Sequence, residues 1–275
     1  MSTTADWQGE LGRKWAEGSD AQDLALGALG DLGLAQLAGD LDGLAGRRVL
    51  DLGCGAGATT AALAAAGADP VGADVSPDLL ALARARHPGL TFALGDAATV
   101  PPPGPFDALF SRFGCMFFDD PVAAWSGLRA QMAPGAAMVC VAWRSIKRND
   151  WAGLPLRACA GLYEPFEKAE PGAPGPFGWA EPDVFAPWLR AAGWQSVDWR
   201  PDEAPMPLSF GNAPDPVARA VAFALKVGPL ASRLAEAAPE VRAEAASRLH
   251  AALMDRLDGD AVRLPGAVWI VTARA

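Results

Sequence analysis

The chain has 275 residues, of which 51% are hydrophobic and 20% charged, an ordinary globular composition able to bury most of the surface its unfolded form exposes. A formal net charge of −9 repels a phosphate backbone and argues against DNA or RNA as a partner. No run reaches the ~18 continuous apolar residues of a membrane span, so a membrane partner is not expected.

The opening MSTTADWQGE lacks a basic stretch followed by an apolar one, so no secretory signal is read and a cytoplasmic location is expected. From Trp7 to Leu44 the apolar spacing is helical, and Gly27, Gly30 and Gly33 predict two short helices rather than one long one. Val49–Leu52 then reads as a short buried strand, ended by glycines, with helical spacing resuming over Ala58–Ala66. Pro70–Asp74 is a second strand, and Pro77–His87 a helix capped by Ser76 with proline at its first position. Leu90–Gly95 is a third strand, Asp96–Pro105 a proline-rich loop, Phe106–Ser111 a fourth strand and Pro121–Met132 a helix. Ala136–Trp143 is the most strand-like run in the chain.

Strands separated by helix-length segments predict right-handed βαβ units, hence an α/β fold with a doubly wound, mostly parallel sheet. Beyond Trp143 the regularity breaks. Residues 145–180 carry many Pro and Gly and predict a loop-and-helix insertion over the sheet. Glu181–Ala192 is a helix, Gln195–Arg200 a strand, Pro214–Leu257 mostly helix with breaks at Gly228 and Pro239, and Ala267–Ala273 a last strand. No Gly/Ser linker divides the chain, so a single domain over 1–275 is expected: an N-terminal helical lid (1–45), a ligand-binding core (46–144), and insertions at 145–180 and 214–257.

The run Asp51-Leu-Gly53-Cys54-Gly55-Ala-Gly57 carries the chemistry. Glycines directly after a buried strand let backbone approach a ligand where a Cβ would clash, and the next helix presents free N–H groups to an anionic group such as a carboxylate. Asp74 ends the second strand 23 positions later, where a carboxylate can accept both hydroxyls of a ribose. So far the pattern also fits dinucleotide-binding proteins, since Gly53, Gly55 and Ala58 satisfy G-x-G-x-x-A. Asp96, after the third strand, separates the two readings, because a carboxylate there can accept a hydrogen bond from an adenine amino group. A turn-capping role is the alternative for Asp96.

VLDLGCGAGATT, VGADVSP, LGDAATVPPPGPFDALFSRFG and QMAPGAAMVCVAW, in that order and spacing, resemble the successive motifs of the class I (Rossmann-like) S-adenosylmethionine-dependent methyltransferases over Val49–Trp143. FSRFGCMFFDDP, followed by Trp143-Arg144 and Asn149-Asp-Trp151, is similar to a bacterial small-molecule branch of that family. The resemblance implies a seven-stranded sheet in the order 3-2-1-4-5-7-6 with the last strand antiparallel and helical lid additions, S-adenosylmethionine as cofactor, and a monomer or homodimer acting on a small-molecule acceptor. It also implies cofactor contacts from Asp51, Gly53, Cys54, Gly55, Gly57, Asp74, Val75, Asp96, Ala97, Ser111 and Arg112. The acceptor would meet Trp7, Trp15, Phe113, Met116, Trp143, Arg144 and Trp151.

The methyl group of such a cofactor is already activated, so the protein is left to align and desolvate, with a general base only for a weakly acidic acceptor. His87 ends a helix on the wrong side of the loop; His250 and Tyr163 lie in the insertions. Asp119 and Asp120 fit the cap of the helix at Pro121 better than a base. The ten tryptophans include Trp7, Trp15, Trp143, Trp151 and Trp179 where a lid is expected, and together they predict a partly aromatic pocket. Arg112 and Arg144 are candidate anchors for a substrate carboxylate, with surface ion pairing as the alternative. Cys54, Cys115, Cys140 and Cys159 are widely spaced without a neighbouring His, so neither a metal site nor a disulfide framework is expected. Two other readings stay open: an NAD(P)-dependent oxidoreductase, although the one Tyr lacks a Tyr-x-x-x-Lys partner, and a non-catalytic S-adenosylmethionine-binding protein.

Overall fold

The computed structural model describes residues 4–96, 99, 102–165 and 170–275. Three helices lead: α1 (Thr4–Gln8), α2 (Glu10–Glu17) and α3 (Ser19–Asp40). The alternating core follows as β1 (Arg48–Leu52), α4 (Ala58–Ala65), β2 (Asp69–Asp74), α5 (Pro77–Arg86), β3 (Thr91–Leu94), β4 (Phe106–Arg112), α6 (Pro121–Arg129) and β5 (Met132–Trp143). Then come α7 (Asp150–Ala158), α8 (Pro182–Ala191), β6 (Gln195–Leu208), α9 (Pro216–Ala224), α10 (Pro229–Arg233), α11 (Pro239–Met254), β7 (Leu257–Asp258) and β8 (Ala261–Arg274).

These elements form one sheet in the order β3-β2-β1-β4-β5-β8-β6, with β7 paired to β8. Neighbours from β3 to β5 are parallel, while β8 runs antiparallel to both β5 and β6. With β8 in the seventh place this is the expected order, extended by a two-residue strand. Both faces are covered, so β1, β4 and β5 are nearly continuous apolar runs rather than alternating ones.

Three expectations are corrected. The glycine-rich N-terminal stretch is not two short helices, because α3 runs unbroken for 22 residues through Gly27, Gly30 and Gly33. Two of these glycines let α3 lie close on the sheet. A Cβ at Gly33 would come within 2.5 Å of Val141 Cγ2, and one at Gly30 within 3.0 Å of Arg112 Cδ. Tertiary packing therefore outweighs a helix propensity deficit of roughly 1 kcal/mol per glycine.

The strand expected at Gln195–Arg200 continues to Leu208 despite Pro201, Pro205 and Pro207. In the sheet order β6 lies at the edge, paired only with β8, and prolines at alternate positions keep their missing N–H on the unpaired side. The strand expected at Ala267–Ala273 begins at Ala261. Its added residues, including Pro265, pair with β6 and β7 only, so proline interrupts no ladder with β5. The expected breaks at Gly228 and Pro239 are found as the starts of α10 and α11. No helix among the described residues is long and apolar enough to cross a membrane.

Candidate functional site

The carboxyl ends of β1, β2 and β4 converge beneath α2, α3, α7 and α9 around a cavity of about 220 Å³. This is the crevice where an open α/β sheet reverses its strand order, since β2 and β4 flank β1 on opposite sides.

The loop after β1 forms one end. Gly53 and Gly55 have φ of +70° and +55°, and a Cβ on Gly53 would sit 2.7 Å from Gly114 Cα, so only glycine fits there. On Gly55 the same space is open. Asp74 Oδ2 accepts the Gly55 N–H at 2.8 Å and Oδ1 accepts the Ser76 N–H at 2.9 Å. The Val75 N–H also acts on this carboxylate, and of its roughly four lone-pair sites some capacity remains for a ligand hydroxyl. Burial pushes the Asp74 carboxyl above the ordinary aspartate range, against the pull of these backbone N–H groups.

Asp51 lies behind the loop and does not line the cavity. It is fully buried, and both Thr59 and Thr60 donate to its Oδ2, at 2.7 and 2.6 Å. Its Oδ1 is buried with no partner among the described residues. Burial raises its carboxyl as well, opposed by the two threonine hydroxyls and by the Arg112 charge. Cys54 does line the cavity, but burial and the nearby Asp51 and Asp74 raise its thiol well above the usual range, so it acts as an apolar liner.

The other end is aromatic. Phe113 stacks on Trp143 at 4.2 Å and 13°, and Trp143 meets Trp151 at 4.9 Å. Trp7 packs edge-on against Trp15 at 5.3 Å and Phe117 at 5.2 Å. The N-terminal helices reach this position because Gly12 of α2 sits directly on Ser76, where a Cβ would come within 2.3 Å of its Oγ. Phe113 itself adopts the left-handed conformation, φ +67°, which turns its ring back from the end of β4.

Of the sequence-predicted residues, the cavity brings together Gly53, Cys54, Gly55, Asp74, Val75, Asp96 and Arg112 with Trp7, Trp15, Phe113, Met116, Trp143 and Trp151. Ala97 lies outside the described residues. Gly57, Ser111 and Arg144 are not brought in. Gly57 packs against His87 and Phe92 on the far side of the loop, as the left-handed N-cap of α4. The Ser111 hydroxyl is buried and donates to Leu52 O at 2.9 Å, tying β4 to β1. Arg144 lays its guanidinium over Trp269, 4.8 Å from the ring centre. Trp179 also turns away, into a core cluster with Trp125 and Phe185.

Neither histidine lines the cavity: His87 ends α5, and His250 faces Asp215 at 3.6 Å on the surface. Tyr163 donates to Leu156 O, and Asp120 caps α6 through the Ala123 N–H. Sequence reasoning missed Ser19, Gln22 and Asp23 of α3, and Met206, Phe223 and Gly228. Asp23 pairs with Arg112 at 2.9 Å and with Arg86 at 3.5 Å, and no local motif signals that pairing.

Residues 49–135 match the family model described as a methyltransferase domain. The chain is 32% identical over 169 residues to a demethylmenaquinone methyltransferase of Beutenbergia cavernae, covering 56% of this chain and 68% of that one. It is 38% identical over 101 residues to a ubiquinone biosynthesis O-methyltransferase of Methylococcus capsulatus, covering 34% and 43%. Among solved structures, the YcgJ protein of Bacillus subtilis superposes with a TM-score of 0.53 at 14% identity, covering 89% of this chain and 98% of that one. The [4+2]-cyclase SpnF superposes with a TM-score of 0.51 at 22% identity, covering 89% and 80%. Those structural likenesses speak for the fold; the family match and the sequence relatives speak for the chemistry. The chain belongs to the class I S-adenosylmethionine-dependent methyltransferases.

Proposed function

We propose that this enzyme methylates a small, apolar acceptor that brings its own nucleophile, and that the protein contributes alignment and desolvation. The observation that carries this reading is the continuous cavity running from the glycine loop and Asp74 to the aromatic chamber. S-adenosylmethionine supplies an activated methyl group on a sulfonium. Gly53, Cys54 and Gly55 would hold its methionine end, where the open side of Gly55 leaves room for a ligand. The remaining acceptor capacity of Asp74 suits a ribose hydroxyl, and Val75 and Asp96 line the end where the adenine would lie. Asp51 stiffens the loop from behind through Thr59 and Thr60.

Trp7 and Trp15 of the N-terminal helices, with Trp151 of the 145–180 insertion and Phe223 of the 214–257 insertion, cover the acceptor end and keep water from it. Among the described residues the ionisable side chains lining the cavity are Asp23, Cys54, Asp74, Asp96 and Arg112, and Arg112 is ion-paired with Asp23. That pairing leaves little free positive charge for a carboxylate acceptor. The relatives named for demethylmenaquinone and ubiquinone biosynthesis support an apolar ring acceptor better than those named for trans-aconitate do.

Calorimetry with S-adenosylhomocysteine, followed by a methyl-transfer assay over quinols, phenols, thiols, amines and small carboxylic acids, tests this reading. Binding and turnover of a ring acceptor are expected. NADPH binding without S-adenosylhomocysteine binding would overturn the reading, as would turnover confined to the carboxylic acids.

A further inference from the structure

Asn149 immediately precedes α7, a position where asparagine ordinarily accepts a first-turn backbone N–H. Here its side chain makes no such cap. It is fully buried and turns instead to the junction of β5 and β8. Nδ2 donates to Arg144 O and Ala267 O, both at 3.0 Å, with Ser145 O at 3.3 Å. Oδ1 accepts the Ala267 N–H at 2.9 Å and the indole N–H of Trp151 at 3.2 Å. One amide therefore ties Trp151 to the backbone of the central sheet.

A second anchor holds the other end of that indole. Gly228 has φ +95° and lies so close that a Cβ would come within 3.1 Å of Trp151 Cζ3. Trp151 in turn meets Trp143, which stacks on Phe113, so three rings form a fixed wall of the cavity. An aromatic wall held rigid in advance binds flat apolar rings without the entropic cost of ordering its own side chains.

We propose that Asn149 is the positioning residue of this wall, and that by fixing the Trp151 indole beside Trp143 it sets the cavity to receive a planar, uncharged ring system. The inference rests on the reading that the aromatic end takes the acceptor. It differs from a mere loop-tying role for Asn149, because it makes the indole N–H the means of action.

The test uses the full chain saturated with S-adenosylhomocysteine and titrated with 1,4-naphthoquinone, read by quenching of tryptophan fluorescence. Asn149→Ala and Trp151→Phe should each weaken quinone binding about tenfold, the scale of one lost buried hydrogen bond. The double variant should be no weaker than the worse single one, because both remove the same link. Gly228→Ala should also weaken it by displacing the indole. Affinity for S-adenosylhomocysteine should stay within about twofold throughout, since the substituted residues belong neither to the glycine loop nor to the Asp74 hydrogen bonds. Trp151→Phe keeps a smaller aromatic ring and every Asn149 backbone bond, so it tests the proposal even where Asn149→Ala fails to fold. Wild-type affinity in Trp151→Phe, multiplying effects in the double variant, or no quinone binding to a wild type that binds S-adenosylhomocysteine would overturn the proposal. A wild type that binds quinone but not S-adenosylhomocysteine would count against the methyl-transfer reading instead.

Discussion

Arg112, at the end of β4, meets Asp23 of α3 at 2.9 Å, so the cation that lines the cavity is already paired by a residue 89 positions earlier. Asp23 also reaches Arg86 of α5 at 3.5 Å, and one carboxylate thereby joins three elements around the site.

Replacing Asp23 by Asn should release Arg112 toward the cavity. Binding of 1-naphthoic acid is expected to strengthen about tenfold, the scale of one charge-assisted hydrogen bond, while 1-naphthol is unaffected. The partly exposed pair should cost about 1 kcal/mol of folding stability when broken. Parallel titrations of acid and alcohol check this, and equal changes for both ligands would contradict it.

Asp74→Ala removes the carboxylate that braces Gly55 and still has lone pairs to offer. Affinity for S-adenosylhomocysteine should fall by about 1–3 kcal/mol. Calorimetry measures the loss, and an unchanged affinity would remove Asp74 from the cofactor site.

The raised carboxyl of Asp74 also sets a pH dependence. Above an ordinary aspartate value of 3.8, the folded protein holds this proton more tightly than the unfolded chain does. Its contribution to the stability of the ligand-free protein is therefore most favourable in acid and is lost as pH rises through the raised value. Cofactor binding is expected to have the opposite slope, because only the ionised form can accept both the backbone N–H groups and a ligand hydroxyl. Denaturation and binding measured from pH 4 to pH 8, wild type against Asp74→Asn, should show opposite slopes in the wild type. The variant should flatten the binding trend and lessen the stability slope by about one proton's worth at most, Asp51 keeping its own share.

Gly33→Ala and Gly27→Ala separate helix propensity from packing. At Gly27 nothing lies within 4 Å of the added Cβ, so alanine should stabilise α3 by about 0.5–1 kcal/mol. At Gly33 the new methyl would meet Val141 and Phe110, and overpacking of about 1–3 kcal/mol should outweigh the same gain. Urea denaturation of both variants decides the sign at each position.

The core of the fold is legible because its signals are local. The apolar run Val49–Leu52, the glycines after it and the Ser76-Pro77 cap each act within a few residues, and the structure shows β1, the tight loop and α5 where they are read. The departures arise where distant parts meet. Three prolines in β6 look like a break until its edge position is known, and Gly30 and Gly33 look like helix breakers until α3 lies on the sheet.

The site divides the same way. Sequence alone determined the methyltransferase character of the chain and pointed to the glycine loop and Asp74, because a tight strand-to-helix loop writes its need for glycine into successive residues. Tertiary structure alone decided that Arg144 turns to Trp269 and Arg112 to Asp23, that Asp51 stands behind the loop, and that Asn149 holds Trp151. Those are contacts of side chains brought together by the sheet order, and no spacing along the chain encodes which partner a long or buried side chain will find.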